Sequence, residues 1–263
     1  MPKLPSQMNK PLVSVAIPAL DREATARRNG VLISIAIPAY NEEAYIRECL
    51  ESLSKQTLPR DQYEVIVVIH EGSSDKTTDI CKEYPVKIFL EKPGIGLARW
   101  RGFKEATGDI LAGTDADTLV PPNWLEIILD NFKDPEVVSL VGPILTKPGA
   151  TYIQRLAFSI GQNIYFSVGR LFGRAWMAGM NFAVRRSAYE ACGGFDAAIK
   201  SAEDTDLTNR IRAFGKTKYD SRLKVYTSTR RLKEGYLKSF FRYSWNLFLL
   251  LLGKEPPTFP HYR

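Results

Sequence analysis

The 263-residue chain carries 44% hydrophobic and 11% aromatic residues, enough to bury a substantial core in one large α/β domain or two small ones. Its three cysteines (Cys49, Cys81 and Cys192) lie far apart without Cys-x-x-Cys spacing, and His70 and His261 are its only histidines, which argues against a disulfide framework or a zinc site and favours a reducing cytoplasm. The net charge of +7 is uneven: residues 1–30 carry +3, residues 31–206 carry 18 basic and 24 acidic groups (−6), and residues 207–263 carry 13 and 3 (+10). An acidic middle and a basic end point to different tasks.

The amino terminus is interrupted by Pro2, Pro5 and Pro11 and lacks a long apolar core, so it does not read as a signal peptide. No stretch reaches the roughly 18 apolar residues of a spanning helix. Residues 12–24 (LVSVAIPALDREA) nearly repeat residues 32–44 (LISIAIPAYNEEA) at an offset of 20. Only the second copy leads into a helical pattern, Ile46, Leu50 and Leu53, so Ile33–Ile37 is the expected first strand of the sheet. The first copy reads as an added edge strand, a tail or an extension without function.

From there strands and helices alternate. Val65–Ile69 is a β-branched run, Thr77–Glu83 is helical, Val86–Leu90 is a strand, and Gly96–Thr107 is a helix stopped at Gly108. A strand over Asp109–Gly113 follows, then a helix opened by Pro121-Pro122 with Trp124, Ile127, Ile128 and Phe132 on one face. Residues 137–144 read as a strand, 150–170 as a helix, Asn181–Arg185 as a strand, 201–214 as a helix halted at Gly215, and Leu223–Thr227 as a strand. This order predicts an α/β fold with a mostly parallel, doubly wound sheet, whose ligands bind beyond the carboxyl ends of the strands.

Three polar stretches fall at those ends: Pro38-Ala39-Tyr40-Asn41-Glu42, His70-Glu71-Gly72-Ser73 and Thr114-Asp115-Ala116-Asp117-Thr118. If the strand pattern continues, Asp115 and Asp117 project the same way across the small Ala116. Two such carboxylates suit a cation placed between them and an anionic ligand, or are simply acidic turn residues. With so few histidines, an oxygen-ligated Mg2+ or Mn2+ is the fitting metal.

The segments IPAYNEE (37–43), EGSSD (71–75), GIGLARWRG (94–102), TDADT (114–118), MNFAVRR (180–186), GGFD (193–196) and AEDTDL (202–207) stand in one order and spacing. In them the chain resembles family 2 glycosyltransferases from about Leu32 to Arg231. The resemblance implies a GT-A-type fold over residues 31–231, flanked by an extension (1–30) and a tail (232–263), and an inverting enzyme using a nucleotide-diphosphate sugar and a divalent cation. It places Pro38, Ala39, Tyr40 and Glu42 around the nucleoside, Arg99 near the base or phosphates, Asp115 and Ala116 at the ribose, Asp117 on the metal and Asp204 as catalytic base. Glu203 would orient the acceptor hydroxyl.

Asp204 has a second reading, since Ser201-x-x-Asp204 also forms a capping box. Asp204, Leu207, Ile211 and Phe214 share one helix face, which favours the base, and a helix amino terminus favours its ionised form. His70 stands where relatives usually carry an acidic residue that reads the base; Glu71 takes over that role, or the base is read otherwise. Trp100 reads as core packing. Arg230-Arg231 either clamps the diphosphate or is solvated.

The Gln-x-x-Arg-Trp element of polysaccharide synthases is missing, so single-sugar transfer is expected. Residues 236–252, YLKSFFRYSWNLFLLLL, suit a helix lying on a membrane surface, which would bring a lipid-linked or glycan acceptor and a peripheral place on the cytoplasmic face. They equally suit packing on their own domain or on a second subunit of a homo-oligomer. Nucleic acid is not an expected partner, because no binding motif accompanies the basic end. A sugar-phosphate nucleotidyltransferase would want a glycine-rich phosphate loop after the first strand, which PAYNEE lacks. A non-catalytic nucleotide-sugar or membrane-binding module is the remaining class.

Overall fold

A computed structural model describes residues 32–171, 177–197, 199 and 203–230. The near-repeat over 12–24 and the tail over 236–252, with the roles read for them, lie outside the described residues.

Seven strands form the main sheet in the order β3-β2-β1-β4-β8-β6-β9, with β1 Ile33–Ala39, β2 Tyr63–His70, β3 Lys87–Glu91, β4 Ile110–Gly113, β6 Val137–Val141, β8 Phe182–Arg185 and β9 Lys216–Tyr219. Strand β8 runs antiparallel to both its neighbours, and the other pairs are parallel. Burial alternates along the strands. Ile33, Ile35, Ile37, Val65, Val67 and Ile69 enter one core, while Ala36, Ile66 and Val68 enter the other. A sheet covered on both faces demands such continuous apolar runs, which is why these strands were readable.

Helices α1 (Ile46–Ser54), α2 (Thr77–Lys82) and α4 (Trp124–Asn131) supply the first core with Leu50, Cys81, Trp124 and Ile128. Helices α3 (Ile95–Lys104), α6 (Arg186–Ala191) and α7 (Glu203–Ile211) supply the second with Phe103, Tyr189, Leu207 and Ile211. The long α5 (Tyr152–Leu171) leaves Tyr152, Ile153, Leu156 and Ile160 exposed.

Some expectations need correction. The strand expected over 137–144 is two, β6 and β7 (Ile144–Thr146), because the chain turns at Gly142-Pro143 where a side chain would meet the Leu223 carbonyl at 2.0 Å. Strand β7 joins β10 (Val225–Thr227) and the short β5 (Thr118–Leu119) in a second, three-stranded sheet. The last helix ends at Ile211, and a 3₁₀ turn, Arg212–Phe214, completes the expected span. Among the described residues no helix is long and apolar enough to cross a membrane.

Candidate active site

The loops after β1 and β2 are laced into one rim. Asn41 adopts φ 51°, a left-handed conformation that asparagine tolerates well, and its Oδ1 accepts the Ser74 N–H at 2.9 Å. The Glu42 N–H donates to Thr77 Oγ1 (2.7 Å) and the Glu43 N–H to Asp75 (2.9 Å). The Thr77 hydroxyl (2.6 Å), the Glu43 N–H and the Thr77 N–H (3.0 Å) all donate to Asp75 and hold it below its ordinary value, despite burial acting the other way. Pro38 and Ala39 complete the buried end of β1.

Beside them the rings of Tyr40 and His70 lie 4.4 Å apart at 42°. The Gly72 N–H donates to His70 Nδ1 at 2.7 Å, which in a neutral imidazole puts the proton on Nε2. That Nε2 is buried with no hydrogen-bond partner among the described residues. Glu71 follows β2 directly, its backbone N–H bonded to the Glu91 carbonyl and its side chain exposed.

The strand pattern does not continue through Asp115 and Asp117. Strand β4 ends at Gly113 and a turn follows, closed by the Thr118 N–H on the Asp115 carbonyl, so the alternation of a strand no longer applies. The two carboxylates meet different arginines. Asp115 takes the Arg99 Nη2 at 2.8 Å. Asp117, 5% exposed, lies 3.0 Å from Arg230 Nε and accepts the Thr227 hydroxyl at 3.2 Å. Ala116 is buried between them. Arg230 also grips both Glu42 oxygens, one at 2.6 Å, and stacks 4.7 Å from the Tyr45 ring centroid. Burial drives the Glu42 carboxyl above its ordinary value, against the pull of Arg230.

Arg99 leads to the remaining acids. It is 3% exposed, places Nε 3.0 Å from Glu203 Oε1 and lies 5.8 Å from the Phe182 ring centroid. Glu203 opens α7 and is nearly fully buried, whereas Asp204 is only partly so; the inward face expected of Asp204 belongs to Glu203, Leu207 and Ile211. Asp204 is held by two backbone donors, its own helix's Thr205 N–H (2.7 Å) and the Gly179 N–H (2.9 Å). Burial raises both acids, and Asp204 adds to the rise of Glu203, which reaches about 7. For Asp204 desolvation outweighs Arg99 and the two N–H donors, so its carboxyl lies above its ordinary value.

Sequence reasoning missed Gly179, Thr227 and Tyr45. At Gly179 a Cβ would stand 2.3 Å from Arg99 Nη2, so a side chain there would displace the guanidinium from its place beside Asp115 and Glu203. The Gly179 loop is anchored by Asn181, which accepts the Trp124 indole N–H and donates to the Leu223 and Pro143 carbonyls. Among the described residues no group of three or more His, Cys, Asp or Glu side chains gathers around a metal position.

Comparison with known proteins places this geometry. Residues 34–193 match the family described as Glycosyl transferase family 2. The chain is 33% identical over 235 residues to the Bacillus subtilis protein named "Probable glycosyltransferase YdaM", covering 82% of this chain and 50% of that protein. It thus spans about half the length of that curated relative. Among solved structures it is similar to the mannosyltransferase PcManGT of Pyrobaculum calidifontis in complex with GDP-Man and Mn2+ (TM-score 0.64, 21% identity, 88% of this chain and 66% of that one). It is also similar to S. aureus TarS in complex with UDP-GlcNAc (TM-score 0.61, 22% identity, 76% and 59%). These two likenesses establish the fold, and with the family match over 34–193 the conclusion is that this chain belongs to glycosyl transferase family 2 and carries its GT-A-type fold.

Proposed function

We propose that the chain transfers a single sugar from a nucleotide-diphosphate sugar to an acceptor hydroxyl, with inversion. One observation carries this reading: three strand ends bring Tyr40, His70, Asp115 and Asp117 to one rim, and Arg99 ties that rim to the acids that open α7. The nucleobase would lie on the Tyr40–His70 ledge, where the buried Nε2–H offers a donor that a base carbonyl could accept. Pro38, Ala39, Glu42, Asp115 and Ala116 would frame the nucleoside, with Glu71 at its outer edge.

A divalent cation, Mn2+ or Mg2+, fits Asp117. The donor set is oxygen, and the carboxylate already holds a guanidinium against it, so the local field favours positive charge. When bound, the cation would stabilise the charge that develops on the departing diphosphate.

Asp204 would act as base. The acceptor oxygen bonds to the anomeric carbon, the bond from that carbon to the diphosphate oxygen breaks with its electron pair, and the acceptor proton passes to Asp204. The Thr205 and Gly179 N–H groups orient that carboxylate, while Glu203, fixed by Arg99, would orient the acceptor hydroxyl. A glycan or lipid-linked acceptor, a membrane-surface role for residues 236–252, assembly as a homo-oligomer and a cytoplasmic location complete the reading.

The test is a panel of UDP- and GDP-sugars with Mn2+, with mass spectrometry to count the sugars added and NMR to assign the anomer. Transfer that survives both Asp117→Asn and Asp204→Asn would overturn the assigned roles.

A further inference from the structure

Arg230 reaches the rim from the end of β10, a strand of the second sheet, and sets its guanidinium Nε 3.0 Å from Asp117 Oδ2. Its guanidinium lies between two carboxylates that are themselves buried, Glu42 at 7% and Asp117 at 5% exposure, while its own side chain is 26% exposed. The Tyr45 ring lies against the guanidinium, and Lys147 lies 5.8 Å from the same ring centroid. The arrangement is therefore a buried acidic pair closed by a cation that water can still reach.

We propose that Arg230 is a positioning residue that stands in for the divalent cation at Asp117 and gives up that place only when a donor diphosphate arrives to receive its guanidinium. This rests on the reading of the rim as the nucleotide-sugar site. The physical reason is exclusion. A metal ion bound to the Asp117 carboxylate and a guanidinium 3.0 Å from its Oδ2 compete for one patch of negative potential, and like charges there repel. The ion alone must break the Arg230–Asp117 contact and leave Arg230 facing a cation. A diphosphate removes that penalty, because a guanidinium binds phosphate oxygens through paired, charge-assisted hydrogen bonds. Cation and nucleotide then bind with positive coupling, and the coupling is reciprocal. Glu42 keeps the arginine at the rim during the exchange, since its two oxygens hold the Nη atoms while Nε faces Asp117.

The experiment titrates the full chain with Mn2+ alone, following free Mn2+ by electron paramagnetic resonance, and repeats the titration with saturating UDP or GDP. Wild type is expected to bind Mn2+ at least about tenfold more tightly with the nucleotide present, a coupling within the usual allosteric range. Arg230→Ala should bind Mn2+ alone about tenfold more tightly than wild type, with the nucleotide adding little. Arg230→Gln, which keeps much of the packing on Tyr45, serves if the alanine variant does not fold, and Glu42→Gln should move the same way by loosening the anchor.

Folded Arg230 variants that bind Mn2+ alone no better than wild type, while nucleotide-dependent Mn2+ binding remains sensitive to Asp117→Asn, would overturn the exchange and leave the donor site standing. Failure of wild type to bind either nucleotide with or without Mn2+ would overturn the donor-site reading and the exchange together.

Discussion

Two arginines each bridge two carboxylates in this site, and the difference between them lies in what surrounds the guanidinium. Arg99 comes from helix α3, is 3% exposed, and ties Asp115 to Glu203 beneath the glycine loop that ends at β8. Arg230 comes from the end of β10, is 26% exposed, and ties Glu42 to Asp117 at the open rim. A buried pair is costly to break because the abandoned charge has no water to turn to, while a pair that water reaches can exchange partners at small cost. Similar ion-pair chemistry therefore yields a fixed strut on the side of α7 and a more exchangeable contact on the side of Asp117.

The largest effect that separates the two sides is on turnover. Asp204→Asn should lower kcat roughly 100- to 10,000-fold, the usual contribution of a positioned base, with nucleotide affinity unchanged in a binding titration. Asp117→Asn should instead weaken Mn2+-dependent nucleotide binding. If the two variants show the same pattern, the division between the sides is wrong.

Stability gives the next contrast. Arg99→Ala leaves Asp115 and Glu203 without their shared cation and should cost about 3–5 kcal/mol, a drop in Tm on the order of 10 °C. Arg230→Ala should cost only about 1–2 kcal/mol, since water reaches the vacated space and Asp117 keeps the Thr227 hydroxyl. Chemical denaturation of both variants checks the ranking. Equal losses would mean that Arg230 is as structural as Arg99.

The fixed half of this picture was the more legible in the sequence at the level of elements and the less legible at the level of contacts. Ile33–Ile37 and Val65–Ile69 announced themselves because a sheet covered on both faces needs unbroken apolar runs. The motif residues Tyr40, Asp115 and Asp117 could be placed at strand ends from the same pattern. The pairing of Arg99 with Glu203 could not, because it joins residues 104 positions apart, and neither could the bond between Thr227 and Asp117, 110 apart. Strand β10 falls inside the strand read over Leu223–Thr227, but β5 and β7 are two and three residues long, too short for a period to show, and the sheet the three form exists only through pairing between distant segments. The turn after Gly113 mattered most. By ending the strand before Asp115 it sent two neighbouring carboxylates to different arginines.

The acids beside Arg99 give the smallest and most specific test, through pH. Burial is the leading cause that lifts Glu203, to about 7, followed by the charge of Asp204; burial also lifts Asp204, against the Arg99 charge and the Thr205 and Gly179 N–H groups. Because these folded-state values lie above the unfolded ones, the stability contributed by the protonated acids is complete below the ordinary carboxylate value and is lost as pH rises toward about 7. Turnover runs the opposite way, since a base must be ionised, so the acid limb of kcat against pH should fall above the ordinary carboxylate range. The two acids titrate as a pair in which the charge of Asp204 is already present when Glu203 loses its proton. Glu203→Gln should therefore flatten the loss of stability between about pH 4.5 and 7 and leave the acid limb of kcat in place, because Glu203 is still protonated and uncharged where Asp204 ionises. Urea denaturation and steady-state rates across that range measure the two halves separately. A limb that moves to lower pH in Glu203→Gln would mean that Glu203 ionises before Asp204, and that the order of the two acids beside Arg99 is the reverse of the one drawn from their surroundings.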